Sequence, residues 1–139
     1  MSDKEPIFID SNVLIYGNYG DSSKLEKFDT IIRTRIIPPV ISTQVLKEFC
    51  NVSIRKQYAK TLAELLHRLD KITGTFIVRE TTSALIKEAV AIHARYGYSF
   101  YDSLIIATAL ENNCKTLYSE DFHHGQVIRR KMKIVNPFR

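Results

Sequence analysis

Residues 7–10 of this chain read Ile-Phe-Ile-Asp, and no other feature limits its fold more. Three consecutive apolar residues leave no polar face. An extended segment with that pattern is buried on both sides, as in the middle of a parallel sheet covered by helices. Asp10 then places a carboxylate at the end of a buried strand. An isolated charge out of water is penalised heavily unless a cation, a partner or a proton compensates it. Ser11 and Asn12 follow at once, and Val13-Leu14-Ile15-Tyr16 returns to apolar character.

The rest of the chain alternates in the way that a helix-covered parallel sheet requires. Ser11-Asn12 can cap a short helix through Tyr16, ended by Gly17 and Gly20. Ser22 or Ser23 opens a second, with Leu25, Phe28, Ile31 and Ile32 on one face. Residues 36–41 are extended, and Pro38 and Pro39 push them to the start or edge of a sheet. Ser42 or Thr43 caps a helix that turns Val45, Leu46 and Phe49 inward. A helix over about residues 61–72 carries Leu62, Leu65, Leu66 and Leu69, and Gly74 breaks it before a strand at 75–78. Thr82 or Ser83 starts a helix with Leu85, Ile86, Ala89, Val90 and Ile92 that stops at Gly97. Ser99 caps another running to Asn112-Asn113. Strands follow at 114–118 and 133–135, the first ending in the polar turn Ser119-Glu120-Asp121. The expected fold class is α/β, with helices on both sides of a mainly parallel sheet, and right-handed crossovers limit its topology.

With 139 residues, the chain fits one domain with one core. A formal charge of +5 raises the odds of a polyanionic partner, although solubility also favours net charge. Cys50 and Cys114 form no metal or redox motif, which suits a reduced cytoplasmic chain. The polar N-terminus shows no signal peptide, and residues 103–110, the longest uncharged apolar stretch of the second half, are too short to span a membrane.

Ligands of such sheets gather beyond the carboxyl ends of the strands. Asp10 lies there, and Asp121 lies just past the 114–118 strand. Glu48 and Asp102 come early in helices that follow an extended segment and a turn. Each has a plainer reading. Asp10 and Asp102 suit helix caps, with Ser99 and Asp102 at capping-box spacing. Asp121 suits a turn, and Glu120 can replace it as the fourth acid. Glu48 is harder to explain away, because Gln44, Val45, Asn51 and Val52, its helical neighbours, include no base. Several carboxylates in one place call for a divalent cation. Oxygen ligands select Mg²⁺ or Mn²⁺, and Mg²⁺ leaves room for a substrate phosphate.

Four segments, residues 8–14, 41–49, 101–107 and 117–122, together resemble a PIN-domain protein, of the kind found as the VapC-type toxin of toxin–antitoxin pairs. The resemblance covers nearly the whole chain, so that residues 1–139 would form one PIN domain. It implies a three-layer fold with about four to five strands in the sheet, and a Mg²⁺- or Mn²⁺-dependent endoribonuclease that cleaves RNA. Asp10 and Asp102 would be the principal metal ligands, with Glu48 binding directly or through water and Asp121 completing the set. Asn12 and Ser119, and Ser42 unless it only caps its helix, would hold the acids in place. A cognate antitoxin and a homodimer are implied as well.

Arg55, Lys56, Arg129 and Arg130 are candidate RNA contacts, with a plain solvated face as the alternative. His123-His124 reads as a turn or phosphate contact rather than a metal pair. Among the tyrosines, Tyr16, Tyr19, Tyr96, Tyr98 and Tyr101 could stack on bases or pack. The main alternative function is a non-catalytic RNA- or protein-binding module on the same fold. A phosphotransferase with Asp10 as nucleophile would ordinarily carry a second Asp at the position of Asn12.

Overall fold

Ile7, Phe8 and Ile9 are each no more than 1% exposed, as a strand covered on both faces requires. They form β1 (Ile7–Ile9) at the centre of the sheet. The computed structural model describes residues 3–139. After β1 the chain runs through α1 (Ser11–Tyr19), α2 (Ser22–Arg33), β2 (Val40–Ser42), α3 (Thr43–Arg55), α4 (Leu62–Thr75) and β3 (Ile77–Arg79). It continues through α5 (Ser83–Tyr96), α6 (Phe100–Glu111), β4 (Thr116–Tyr118), β5 (Val127–Ile128) and β6 (Met132–Val135).

The strand order is β3-β2-β1-β4-β6-β5. Only the β5–β6 pair is antiparallel; the other four pairings are parallel. Each step from β1 to β2, β2 to β3 and β3 to β4 uses a pair of helices, the long crossover that a parallel neighbour needs. The chain moves outward from β1 to β3 and then returns to lay β4 on the other side of β1. The order therefore reverses between β1 and β4, the kind of switch point beyond whose carboxyl ends ligands of such sheets bind. Ile9 pairs with Tyr118, so both strands end level at that switch point. The bond from Asp10 N to the Tyr118 carbonyl, at 3.0 Å, carries the ladder one residue further.

One core of apolar side chains runs through the molecule, including Phe8, Phe49, Ile92, Ile106 and Leu117. α6 is buried through its middle, from Ser103 to Ala109, as the uncharged run at 103–110 leads one to expect. Hydroxyl caps begin four helices: Ser42 for α3, Thr61 for α4, Thr82 for α5 and Ser99 for α6. Gly97 ends α5 in the left-handed conformation at φ 80°, where a β-carbon would be strained.

Several local expectations give way to tertiary packing. α1 does not stop at Gly17 but runs to Tyr19, because Gly17 serves packing rather than termination. A β-carbon there would fall within the ring of Phe28 on α2. Asp10 and Asp21, not the serines that follow them, cap α1 and α2. Gly74 lies inside α4, which continues to Thr75. β2 is an interior strand, and its prolines precede it, where no ladder donor is needed. Of the α4 leucines, Leu65 is buried with Ile72, whereas Leu62 and Leu66 are 74% and 53% exposed. Ile86 and Val90 likewise face outward on α5. The sheet has six strands rather than four to five, because the two-residue β5 pairs with β6.

Candidate active site

Asp10 ends β1 and caps α1 in one residue. Its Oδ1 accepts the Ser11 backbone N–H at 2.7 Å. Its Oδ2 accepts the Ser119 hydroxyl at 2.8 Å and faces Asn12 Nδ2 at 3.4 Å. The side chain is almost out of water, and burial together with the negative charges of Glu48 and Asp121 pushes its carboxyl up to about 7. Burial is the largest cause, and the Ser119 and Ser11 bonds offset part of it.

Asn12 ties the first turn of α1 to the loop after β4. Its Nδ2 donates to Asp121 Oδ2 at 3.0 Å and to Ser119 Oγ at 3.2 Å, while its Oδ1 accepts the Glu120 N–H at 3.1 Å. Ser119 is fully buried. Its oxygen also accepts the Asp121 N–H at 3.2 Å. The Asp121 carboxylate is thus turned to Asn12, whereas Glu120 enters these contacts through its backbone.

Asp102 sits in the first turn of α6, its N–H held by Ser99 Oγ at 3.2 Å. Burial first, and then the charge of Asp121, raise its carboxyl above the usual range, with the Ser99 hydroxyl opposing them. Glu48 lies in the second turn of α3 and faces solvent, and its charge reaches Asp10. The four acids are therefore coupled around Asp10 and Asp121. Among the described residues, none of the four forms an ion pair with a base; the three pairs present are Arg33–Asp29, Arg68–Glu64 and Arg129–Glu88.

Among the described residues, no three His, Cys, Asp or Glu side chains close into a metal cage. Asp10 and Asp121, linked through Asn12 and Ser119, instead offer an open, all-oxygen pair, with the charge of Glu48 bearing on Asp10 and that of Asp121 on Asp102. That fits Mg²⁺ or Mn²⁺, which take one or two carboxylates and fill the remaining positions with water and phosphate oxygens. A cation would also stabilise the ionised form of Asp10, which burial disfavours.

Other sequence candidates fall elsewhere. Ser42 is fully buried, and its hydroxyl accepts the Val45 N–H at 3.3 Å as the cap of α3. Arg55 is exposed and stands seven residues beyond Glu48, hence on the same stripe of α3, with Lys56 just past the helix end. Arg129 and Arg130 form the turn between β5 and β6, both left-handed at φ 50° and 58°. That turn lies where β6 begins, at the sheet edge opposite the acids, and Arg129 pairs with Glu88. The histidines do not pair: His124 Nδ1 accepts the Asn136 N–H at 2.9 Å, and the His123 ring packs on Tyr98.

One contact at the site has no signature in the sequence. Gln44 Nε2 donates to the Tyr101 carbonyl at 3.1 Å, joining the first turns of the helices that carry Glu48 and Asp102. Its Oε1 is buried and has no hydrogen-bond partner among the described residues. The residues lie 57 apart, and local spacing cannot anticipate such a bond.

The acids thus gather at the strand-order reversal of a parallel α/β sheet, and none of them pairs with a base among the described residues. The chain belongs to the PIN domain family, whose pattern it matches over residues 7–129. No curated protein matches the chain in sequence. Its fold is similar to that of a toxin–antitoxin complex from Klebsiella pneumoniae, with a TM-score of 0.71 and 18% identity over 94% of this chain and 97% of that one. It is also similar to VapC20 of Mycobacterium tuberculosis, described as a Sarcin-Ricin loop cleaving toxin, with a TM-score of 0.66 and 19% identity over 83% and 91% of the two chains. VapBC2 of Rickettsia felis, bound to a DNA fragment from its promoter, gives 0.64 and 14% over 93% and 96%. At these identities the likeness is one of fold.

Proposed function

We propose that residues 1–139 form a single PIN domain acting as a Mg²⁺- or Mn²⁺-dependent endoribonuclease, the toxin of a toxin–antitoxin pair. The observation that carries this reading is the set Asp10, Glu48, Asp102 and Asp121, in which Glu48 and Asp121 repel Asp10 and Asp121 repels Asp102, with no basic partner among the described residues. Structural acids are ordinarily paired or spread apart. These four would hold the cation. When bound, it supplies an activated water and positive charge for a phosphate in transit.

The chain's own residues do the positioning. Ser119, Asn12 and the Ser11 N–H orient both oxygens of Asp10. Asn12 aligns Asp121 with Asp10, and Gln44 fixes the first turn of α6 against α3. Glu48, the solvent-facing acid on α3, orients the attacking water by accepting its hydrogen bond. Arg55 and Lys56, further along the same helix, give a backbone phosphate a counter-charge.

The fold's likeness to toxin–antitoxin complexes supports a cognate antitoxin, and the reading includes a homodimer. Leu62 and Leu66, one turn apart and exposed on α4, supply apolar surface for a protein contact. No described helix is long and apolar enough to cross a membrane, and the proposed place of action is the cytoplasm.

The test is incubation of total RNA with the purified protein, with and without Mg²⁺ or Mn²⁺, beside Asp10→Asn. The reading expects discrete cuts that need the metal and vanish in the variant. Cleavage that persists in excess EDTA would sink it. Salt-dependent RNA binding with no cut product would instead favour a non-catalytic module.

A further inference from the structure

Resting on the ribonuclease reading, we propose that Tyr101, buttressed by Phe100, is the platform on which the protein stacks an unpaired base next to the phosphate it cleaves. The chain has seven tyrosines, and the packing separates this one from the rest. Tyr16 packs edge-on against Phe138 with Lys24 Nζ over its face. Tyr19 stacks on Phe49, tilts against Tyr58 and bonds Ser53. The hydroxyl of Tyr96 accepts the Arg129 N–H, Tyr98 packs on Phe122 and bonds Gln126, and Tyr118 lies within β4. Tyr101 is the most exposed, at 70% against 39% for Tyr58, and its hydroxyl bonds nothing among the described residues.

Its place in the site makes that exposure useful. Tyr101 immediately precedes Asp102 in the first turn of α6, and its carbonyl is held by Gln44, one turn before Glu48 on α3. The backbone under the ring is therefore fixed between two acid-bearing helices. Phe100 meets the ring at 72° with centroids 5.4 Å apart, an edge-to-face contact that buttresses it while most of its surface stays exposed. An exposed ring on a rigid support loses little freedom when a flat partner covers it.

Near a phosphate-cutting site on a chain of formal charge +5, that flat partner is a nucleobase. Any base can stack there, but only one released from its neighbours. Bases inside a duplex are already stacked on each other. The platform thus selects single-stranded segments, loops and bulges over helices, whatever their sequence.

The test uses a 5′-labelled single-stranded oligoribonucleotide spanning a site that the protein cuts in total RNA. Tyr101→Ala, Tyr101→Phe and wild type are compared under steady-state conditions with Mg²⁺ or Mn²⁺. Stacking acts equally before and during the cut, so Tyr101→Ala raises KM about tenfold with kcat nearly unchanged, and Tyr101→Phe, which keeps the ring, matches wild type. An abasic nucleotide beside the cut weakens wild type by a similar factor and leaves Tyr101→Ala unaffected.

The proposal is overturned if Tyr101→Ala keeps the wild-type KM, or if its deficit is undiminished with an abasic nucleotide at every position near the cut. It is also overturned if light scattering shows that Tyr101→Ala converts a dimer to a monomer, since the ring then belongs to a protein interface. A wild type that cuts no RNA with either metal defeats the ribonuclease reading itself. An active wild type with an indifferent Tyr101→Ala defeats only the platform.

Discussion

Asn12 and Ser119 are 107 residues apart in the sequence and 3.2 Å apart in the structure, joined by a hydrogen bond from Asn12 Nδ2 to Ser119 Oγ. This contact makes one rigid piece of the start of α1 and the loop after β4. Each partner also holds an acid: Ser119 donates to Asp10, and Asn12 donates to Asp121. The spacing of the two carboxylates is thus set by neutral groups, which leave their charges uncompensated for something else to bind.

Ser119→Ala tests that role through pH. The Ser119 bond is the largest influence holding the Asp10 carboxyl down against burial. Without it the carboxyl moves above about 7, and less of it is ionised at neutrality. If the proposed ribonuclease reading holds, cleavage at neutral pH falls roughly 10–100-fold, the usual effect of removing a group that orients a metal ligand. The rising limb of the pH–rate profile moves to higher pH, so activity partly recovers in alkaline buffer. An unchanged limb would show that the bond is structural only.

Asp10 also makes the fold pH-dependent. Its carboxyl titrates at about 7 when folded, against a reference of 3.8. Between those values the folded chain keeps a proton that the unfolded chain has lost, so stability falls as pH rises through that window and levels off above it. The change is about 1.4 kcal/mol for each unit of difference. Asp102, raised in the same direction, adds to it. Urea titrations across the window are expected to show this decline in wild type and a flatter curve in Asp10→Asn. Mg²⁺ or Mn²⁺ restores wild-type stability near neutrality but not that of the variant. Equal slopes in the two proteins would remove Asp10 as the source.

Much of the fold is legible because burial and capping leave local marks, and the candidate site is legible only as residue types. The run Ile7-Phe8-Ile9 announced a central strand, Ser99 announced α6, and Gly97 announced the end of α5. What stayed hidden depends on partners far along the chain. Gly17 reads as a helix stop until Phe28 is seen to occupy the space beside it. Leu62 and Leu66 match a buried stripe, yet α4 turns Leu65 and Ile72 to the core instead. β5 is two residues long, and its turn places Arg129 and Arg130 where Asn-Gly is the usual signal. For the site, the acids were visible as residue types at strand and helix ends. The Gln44–Tyr101 bond, and the placement of Arg129 and Arg130 at the opposite sheet edge, follow from topology alone.

Gly17→Ala measures how closely α1 approaches α2. On an isolated helix the change favours folding by about 1 kcal/mol. Here the new methyl would lie 2.6 Å from Phe28 Cδ2 and closer still to other ring atoms, so ring or helix must shift. Overpacking of this kind costs roughly 1–3 kcal/mol, and a net loss of stability is expected. In a Phe28→Ala background the clash is gone, and Gly17→Ala becomes neutral or stabilising. Thermal melts of the four proteins give the coupling directly, and additive effects would contradict the contact.

Asp121→Asn and Glu120→Gln decide which acid of the turn after β4 belongs to the proposed site. Asp121 is the one whose carboxylate meets Asn12, and its charge raises the carboxyls of both Asp10 and Asp102. Neutralising it removes one repulsion from each, so both ionise at lower pH. The rising limb of the pH–rate profile therefore moves down, opposite to the effect of Ser119→Ala. The maximal rate falls as well, about 10-fold or more, because the acid set has lost an oxygen anion. Glu120→Gln keeps the backbone N–H that bonds Asn12, so neither the limb nor the rate should change. Loss of activity in Glu120→Gln with Asp121→Asn fully active would reverse the assignment.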